Sequence, residues 1–510
     1  MTGKHYRLSA QVLLVCLFGV CVYRAFTQSI VYDEALTWQL YILGPVSNIF
    51  RVFDANHHFL NSVLARLSTA VFGVSEWSMR VPALAGAAVY FTACYRLART
   101  AFGDGFTMLL AVALVTLNPL VLDFMVAARG YGLALALWMW AAALLLESFA
   151  RQSYKPSQMA AAGVTLALSV TANLVFVLPA AVLAGLTLYF ARTGSTPAPA
   201  PPPSKNTAVP RARSTGKKKK VTPPPQAAKP GTAPWVWFTV PIIAIAVLFF
   251  LLAPFESMSS EHFYTGAPTI RESLRSLASC SLQHSGPLRG QPWMGYWTDA
   301  VAFFIAPLTV VAGLIFGILR RNLLLILTAC AAVFSSIVLL LIHLLLDKPY
   351  PSDRTGIYFL PLVTLILVGL AHAWRGEGPR RAASLAAYAV GVLLAVQFAT
   401  EFNTRMFLVW EYDADTREIA AYLAAHRRPG PEIVRVGGSW QLLQSLAYYA
   451  VMRNLNWLEL HKEKPVSGLE YYALTPWDRT TVERQLGLRE IYRGAVSGSA
   501  LAVPQPPAAR

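Results

Sequence analysis

Long, uncharged apolar runs are the feature that most narrows what this chain can become. Residues 235–254 and 300–319 each hold twenty positions without one charged side chain. About 20 apolar residues in helical form cross the ~30 Å hydrocarbon core of a bilayer. Lipid offers no partner for backbone N–H and C=O groups, so repeated runs of this kind must close their hydrogen bonds within helices. The mean hydropathy is +0.46, with 55% hydrophobic and 14% charged residues. That charged fraction is far below the ~25% usual in soluble domains. The chain reads as an all-α polytopic membrane bundle.

Apolar length and flanking charge together place eleven spans, at 8–26, 79–99, 106–126, 130–150, 157–171, 174–192, 235–254, 300–319, 323–345, 355–374 and 382–400. Helical periodicity does not help, because helices wetted by lipid are apolar all round. The run 157–192 must break near Thr171-Ala172-Asn173, since one helix of that length would rise ~54 Å. With that break, Lys4/His5/Arg7, Arg96/Arg99, Arg151/Lys155, Lys217–Lys220, Arg320/Arg321 and Arg375/Arg380/Arg381 fall on one side. The positive-inside rule makes that side cytoplasmic. The net charge of +17 is thereby a record of topology, not of nucleic-acid binding. The first run is expected to remain as a helix. Arg24 and Phe26 stand where a signal peptidase would need small residues.

Four segments follow from this reading. Residues 1–192 form an N-terminal transmembrane module with an outer loop at 27–78, and 235–401 form a second module. Between them, 193–234 hold eight Lys/Arg, eleven prolines and no acid, the composition of a disordered cytoplasmic linker. Residues 402–510 turn soluble in character and predict a small extracytoplasmic α/β domain. Its expected helices are 415–428 and 440–452, and its expected strands 432–436, 457–461, 470–474 and 488–492. Residues 61–72 are too short to cross and carry Arg66, so they predict an interfacial helix.

Chemistry-bearing residues collect on the side away from the basic clusters. They are Tyr32-Asp33-Glu34, then Asn56-His57-His58-Phe59, then Glu76-Trp77-Ser78-Met79-Arg80-Val81-Pro82-Ala83 with Gly86. Asn118-Pro119, Ala128-Arg129-Gly130-Tyr131, and Tyr350-Pro351 with Arg354, Tyr358 and Pro361 complete the set. Adjacent carboxylates at a membrane surface are costly to place and point to function.

In order and sidedness these motifs resemble the GT-C superfamily of polytopic glycosyltransferases. The bacterial branch similar to protein O-mannosyltransferases and 4-amino-4-deoxy-L-arabinose transferases is nearest in pattern. The match runs from residue 8 to 192, and more loosely to 400. Two positions depart from that pattern, with His57-His58-Phe59 where His-Pro-Pro is frequent, and Ala127-Ala128 where a glutamate often stands before the arginine. The resemblance implies an inverting enzyme of a bacterial inner membrane. Its donor would be a sugar on polyprenyl phosphate and its active site periplasmic. A phosphate leaving group needs no protonation, so one carboxylate suffices as base while guanidinium groups hold the phosphate. Asp33 is the expected base, Glu34 an expected partner that orients an acceptor or metal, and Arg129 and Arg354 the expected phosphate ligands. Tyr32, His57, His58, Tyr131 and Tyr358 are expected to contact substrate. A divalent metal stays open, with His57 and His58, and His262 as a third ligand. The acceptor (protein, lipid or glycan) stays open too. The competing reading is a polyprenyl-linked sugar transporter or flippase, which would place polar residues near the middle of paired spans. These spans carry almost none there.

Overall fold

The computed structural model describes residues 2–193, 233–259, 266–283, 285–375, 378–427, 433–462 and 466–505. Most of the expected linker, and His262, lie outside the described residues. Among those described, eight helices are long and apolar enough to cross a bilayer: Gly3–Thr27, Glu76–Phe102, Gly130–Ala150, Leu174–Thr193, Pro234–Leu252, Pro292–Arg320, Leu323–Leu346 and Pro379–Thr400.

Three of the eleven expected spans are shorter helices, and in each case the sequence shows what stops them. The span expected at 106–126 is Phe106–Leu117 followed by Pro119–Phe124. Pro119 lacks the N–H that would continue the first helix, and the Asn118 side chain accepts from Val121 N–H to start the second. Pro156–Ala172 ends where Asn173 turns to extended backbone and caps a short turn at Leu174–Phe176. The break expected inside 157–192 is therefore present. Phe359–Ala373 begins only after the proline-containing connection 347–358.

Gly130–Ala150 occupies the centre of the bundle, with nearly every side chain buried. Its many alanines allow close approach to Glu76–Phe102. A Cβ on Gly86 of that neighbour would sit 3.1 Å from the Leu133 backbone, the small-residue packing that replaces hydrophobic drive inside lipid. The helix Ala233–Leu252 lies at the periphery and turns Phe250 and Leu251 outward.

Beyond the last long helix the chain builds a five-stranded sheet. Its strands are β1 (Val434–Gly438), β2 (Leu458–Leu460), β3 (Tyr471–Leu474), β4 (Leu488–Arg493) and β5 (Ala500–Pro504), in the order β2-β1-β3-β5-β4. β1 runs parallel to β2 and β3, whereas β5 is antiparallel to β3 and β4. β5 and the helix Pro476–Leu486 add to the elements expected from sequence. Gly438 ends β1 at φ +126°, with Ala473 O so close that no side chain fits.

Buried polar ties fasten this region to the bundle. Arg24 pairs with Asp123 and donates to Met406 O, while Leu408 N–H donates to the other Asp123 oxygen at 2.8 Å. Residues 406–413 are thus held across the bundle end that carries Asp33.

Candidate active site

The site starts at the short helix Tyr32–Thr37, which follows four extended or bent residues after the first long helix. Glu34 fixes it. The carboxylate accepts from Arg80 Nε at 3.0 Å and Arg80 Nη2 at 2.7 Å, a bidentate pair with both partners fully buried. Glu34 also accepts from Ala128 N–H at 2.6 Å and Val31 N–H at 3.2 Å. Arg80 completes its donors with the carbonyls of Ala25, Gln28 and Ser29. Four donors occupy the Glu34 oxygens, which leaves little lone-pair capacity for an acceptor or metal. Sequence reasoning had Arg80 inside a motif but gave it no partner.

Asp33 is different. It is 3% exposed, and its Oδ2 lies 3.3 Å from Arg354 Nη2 and 3.5 Å from Arg129 Nη2 without accepting a formed hydrogen bond. Arg129 is itself buried and held by Asn56, through the carbonyl at 3.0 Å and Oδ1 at 2.8 Å. The chain can bring Arg129 here because Gly130 lacks a side chain. A Cβ there would collide with Ala172 O and the His58 ring. Arg354 keeps part of its surface open and lies over the Trp410 ring at 5.4 Å. Burial works against its charge, but the carboxylate of Asp33 and neighbouring groups outweigh it and raise the guanidinium above its ordinary value. One carboxylate between two guanidiniums is the cluster to which the short helix Tyr32–Thr37, the 127–131 turn and the 347–358 connection each contribute one residue.

His57, His58 and Tyr131 line the neighbouring wall. His57 stacks on Tyr41 with ring centres 4.3 Å apart, and His58 meets Tyr131 edge-on at 4.9 Å. The Nε2 atoms of both histidines, and Asn173 Nδ2, are buried without a hydrogen-bond partner. All three residues line one narrow cleft with Phe249 and Phe255. Burial, then the Arg129 charge, pushes His57 down to about 4 and His58 well below its ordinary value. His57 is therefore neutral from pH 5 upward, and burial biases His58 the same way. The expected pH–rate profile has no limb near 6.5 from either ring, and His57→Gln leaves its shape unchanged between pH 5 and 8. Disappearance of such a limb in the variant would contradict this. Among the described residues no group of three His, Cys, Asp or Glu side chains is placed to hold a metal ion.

Tyr32 and Tyr358 go to different places. Tyr32 donates its N–H to Asp413 Oδ2 at 2.7 Å and sets its ring edge-on to Trp440 at 5.0 Å. Asp413 is buried and pushed up to about 8 by desolvation. Tyr358 packs into the bundle core against Phe176 and Phe359. Arg354 and Tyr358 are four residues apart, but the turn Asp353–Gly356 between them is not α-helical, so they do not share a helix face.

Residues 56–198 match the profile of a family described as dolichyl-phosphate-mannose-protein mannosyltransferase. The chain resembles the polytopic GT-C glycosyltransferases. Similar solved structures include ArnT from Cupriavidus metallidurans bound to undecaprenyl phosphate, at 13% identity over 97% of this chain and 99% of that one, with a TM-score of 0.48. An Archaeoglobus fulgidus oligosaccharyltransferase in complex with Zn and sulfate is 13% identical over 96% of this chain and 73% of its own, TM-score 0.45. The arabinofuranosyltransferase AftD from Mycobacteria is 16% identical over 97% of this chain and 40% of its own, TM-score 0.44. No curated protein matches the chain in sequence. The matched residues 56–198 include the His57-His58, Arg80 and Arg129 motifs read from the sequence.

Proposed function

We propose that the chain is a membrane glycosyltransferase that moves a sugar from a polyprenyl-phosphate donor to an acceptor hydroxyl, with inversion. The observation that carries this reading is the buried Asp33 carboxylate set between Arg129 and Arg354. The acceptor O–H gives its proton to Asp33 as its oxygen bonds the sugar C1. The C1–O bond to phosphate breaks on the opposite face, and the electron pair leaves with the lipid phosphate. Arg129 and Arg354 neutralise that phosphate. Before donor binds, the same guanidiniums neutralise Asp33. As the phosphate draws them away, the carboxylate is freed to accept a proton. Glu34 acts as a positioning residue, tying Tyr32–Thr37 to Arg80 and the 128 turn. The Asp33 face is periplasmic, the N-terminus cytoplasmic, and the sheet at 434–504 belongs to a domain outside a bacterial inner membrane.

Deletion of the gene followed by mass spectrometry of the cell's glycoconjugates tests the reading. The expected result is loss of one sugar from one glycoconjugate, with transfer restored in proteoliposomes supplied with the polyprenyl-phosphate sugar. Labelled lipid-linked sugar that crosses those vesicles without forming any new glycosidic bond would establish transport instead.

A further inference from the structure

Two tryptophans stand where the sheet meets the proposed site. Trp440 is the first residue of the helix Trp440–Met452 after β1, and Trp477 is the second of Pro476–Leu486 after β3. β1 and β3 are parallel neighbours, so both residues emerge from the carboxyl ends of adjacent strands. In open α/β sheets that edge is where ligands settle. Trp440 is 56% and Trp477 55% exposed. Each backs edge-on against a tyrosine, Trp440 on Tyr32 at 5.0 Å and Trp477 on Tyr412 at 5.4 Å. Tyr32 precedes Asp33 in the chain, and the Tyr412 hydroxyl lies in electrostatic reach of Asp33 and Arg354. Trp440 therefore leans on the residue beside Asp33 in the chain, and Trp477 on a tyrosine within electrostatic reach of Asp33. Between them sits a polar knot, in which the Ser439 and Thr475 hydroxyls both donate to Asp478 Oδ2.

We propose that Trp440 and Trp477 form a stacking platform for a saccharide acceptor, whose ring lies on an indole face while one hydroxyl points toward Asp33. This rests on the reading of the site as a glycosyltransferase and narrows its acceptor to a glycan. Flat apolar faces with a few hydrogen-bonding groups between them fit a sugar ring, which is apolar on its C–H face and polar at its rim. An anionic lipid headgroup fits poorly, because the charge between the two rings is the Asp478 carboxylate. The adjacent Arg479 is turned to Gly498 O and Glu490.

Saturation-transfer NMR on the full chain in nanodiscs tests this, with methyl α-D-mannoside, maltotriose and cellotriose as probes. At least one probe is expected to receive saturation at its ring C–H protons. Trp440→Ala/Trp477→Ala removes that signal, and Trp440→Phe/Trp477→Phe keeps it. Asp33→Asn keeps it as well, so failure of the proposed chemistry does not disturb this readout. Absence of signal from all three probes, or equal signal in the double alanine variant, overturns the proposal. Spin labels on Trp440→Cys and Trp477→Cys provide a second reading. Aqueous accessibility is expected, and bilayer depth would make the rings a membrane anchor and overturn the platform.

Discussion

Asp33→Asn is expected to lower sugar transfer by roughly 10²–10⁴-fold, the usual contribution of a positioned general base. The amide keeps the volume and planarity of the carboxylate, so the Tyr32–Thr37 helix and the Glu34–Arg80 pair remain in place. What disappears is the acceptor for the proton and the negative charge 3.3 Å from Arg354 and 3.5 Å from Arg129. Those two guanidiniums then meet the donor phosphate without competition from Asp33. Donor KM is accordingly expected to stay level or fall while kcat collapses, a split that marks loss of a transition-state role. Asp33→Glu keeps the charge but displaces it by one methylene, and should retain a small residual rate. Steady-state kinetics in proteoliposomes check all three expectations. Turnover by Asp33→Asn equal to that of the parent would remove Asp33 as the base.

Much of the fold was legible because the bilayer imposes a length on apolar runs, and that length survives in the sequence without alignment. The break at Asn173 was legible for the same reason. Shorter helices escaped the length rule. Phe106–Leu117 and Phe359–Ala373 hold 12 and 15 residues, and the connections beside them carry prolines whose structural consequence is not local. In the sheet, β5 was hidden because its short Ala500–Pro504 run leads into a proline-rich stretch and reads as a tail. The helix Pro476–Leu486 buries no residue, so it shows no apolar stripe to read.

The site divides along the same line. Asp33, Arg129 and Arg354 could be singled out by motif and sidedness, and the structure brings them to one point. Their partners could not, because ion pairs across the fold leave no spacing signal. Glu34–Arg80 joins residues 46 apart, and Arg24–Asp123 joins residues 99 apart. The polar character of Glu34 pointed toward substrate, and nothing in its spacing announced the four donors that occupy its oxygens. The strap 406–413, with Trp410 under Arg354 and Asp413 on Tyr32 N–H, has no periodicity to betray it.

Arg80→Ala is expected to be the most damaging single change to the fold. The arginine is fully buried and donates to Glu34 and to three backbone carbonyls where the first long helix ends. Its removal strands a buried carboxylate, and breaking one side of such a pair costs about 3–5 kcal/mol. Against a typical total of about 5–15 kcal/mol, that loss removes a large share of the margin and lowers the unfolding temperature in detergent. Arg80→Lys should rescue little, because one ammonium cannot span the two Glu34 oxygens and the Gln28 and Ser29 carbonyls. The double variant Glu34→Gln/Arg80→Met removes both charges together and should recover part of the lost stability, although the amide has a single oxygen and so keeps an acceptor for only one of the Ala128 and Val31 N–H groups. Size-exclusion profiles and thermal unfolding of the purified protein report the order expected: parent, then double variant, then Arg80→Ala. An Arg80→Ala protein that unfolds at the parent's temperature would show that the pair does not hold the loop. Asp33 would then have to be oriented by its own two arginines.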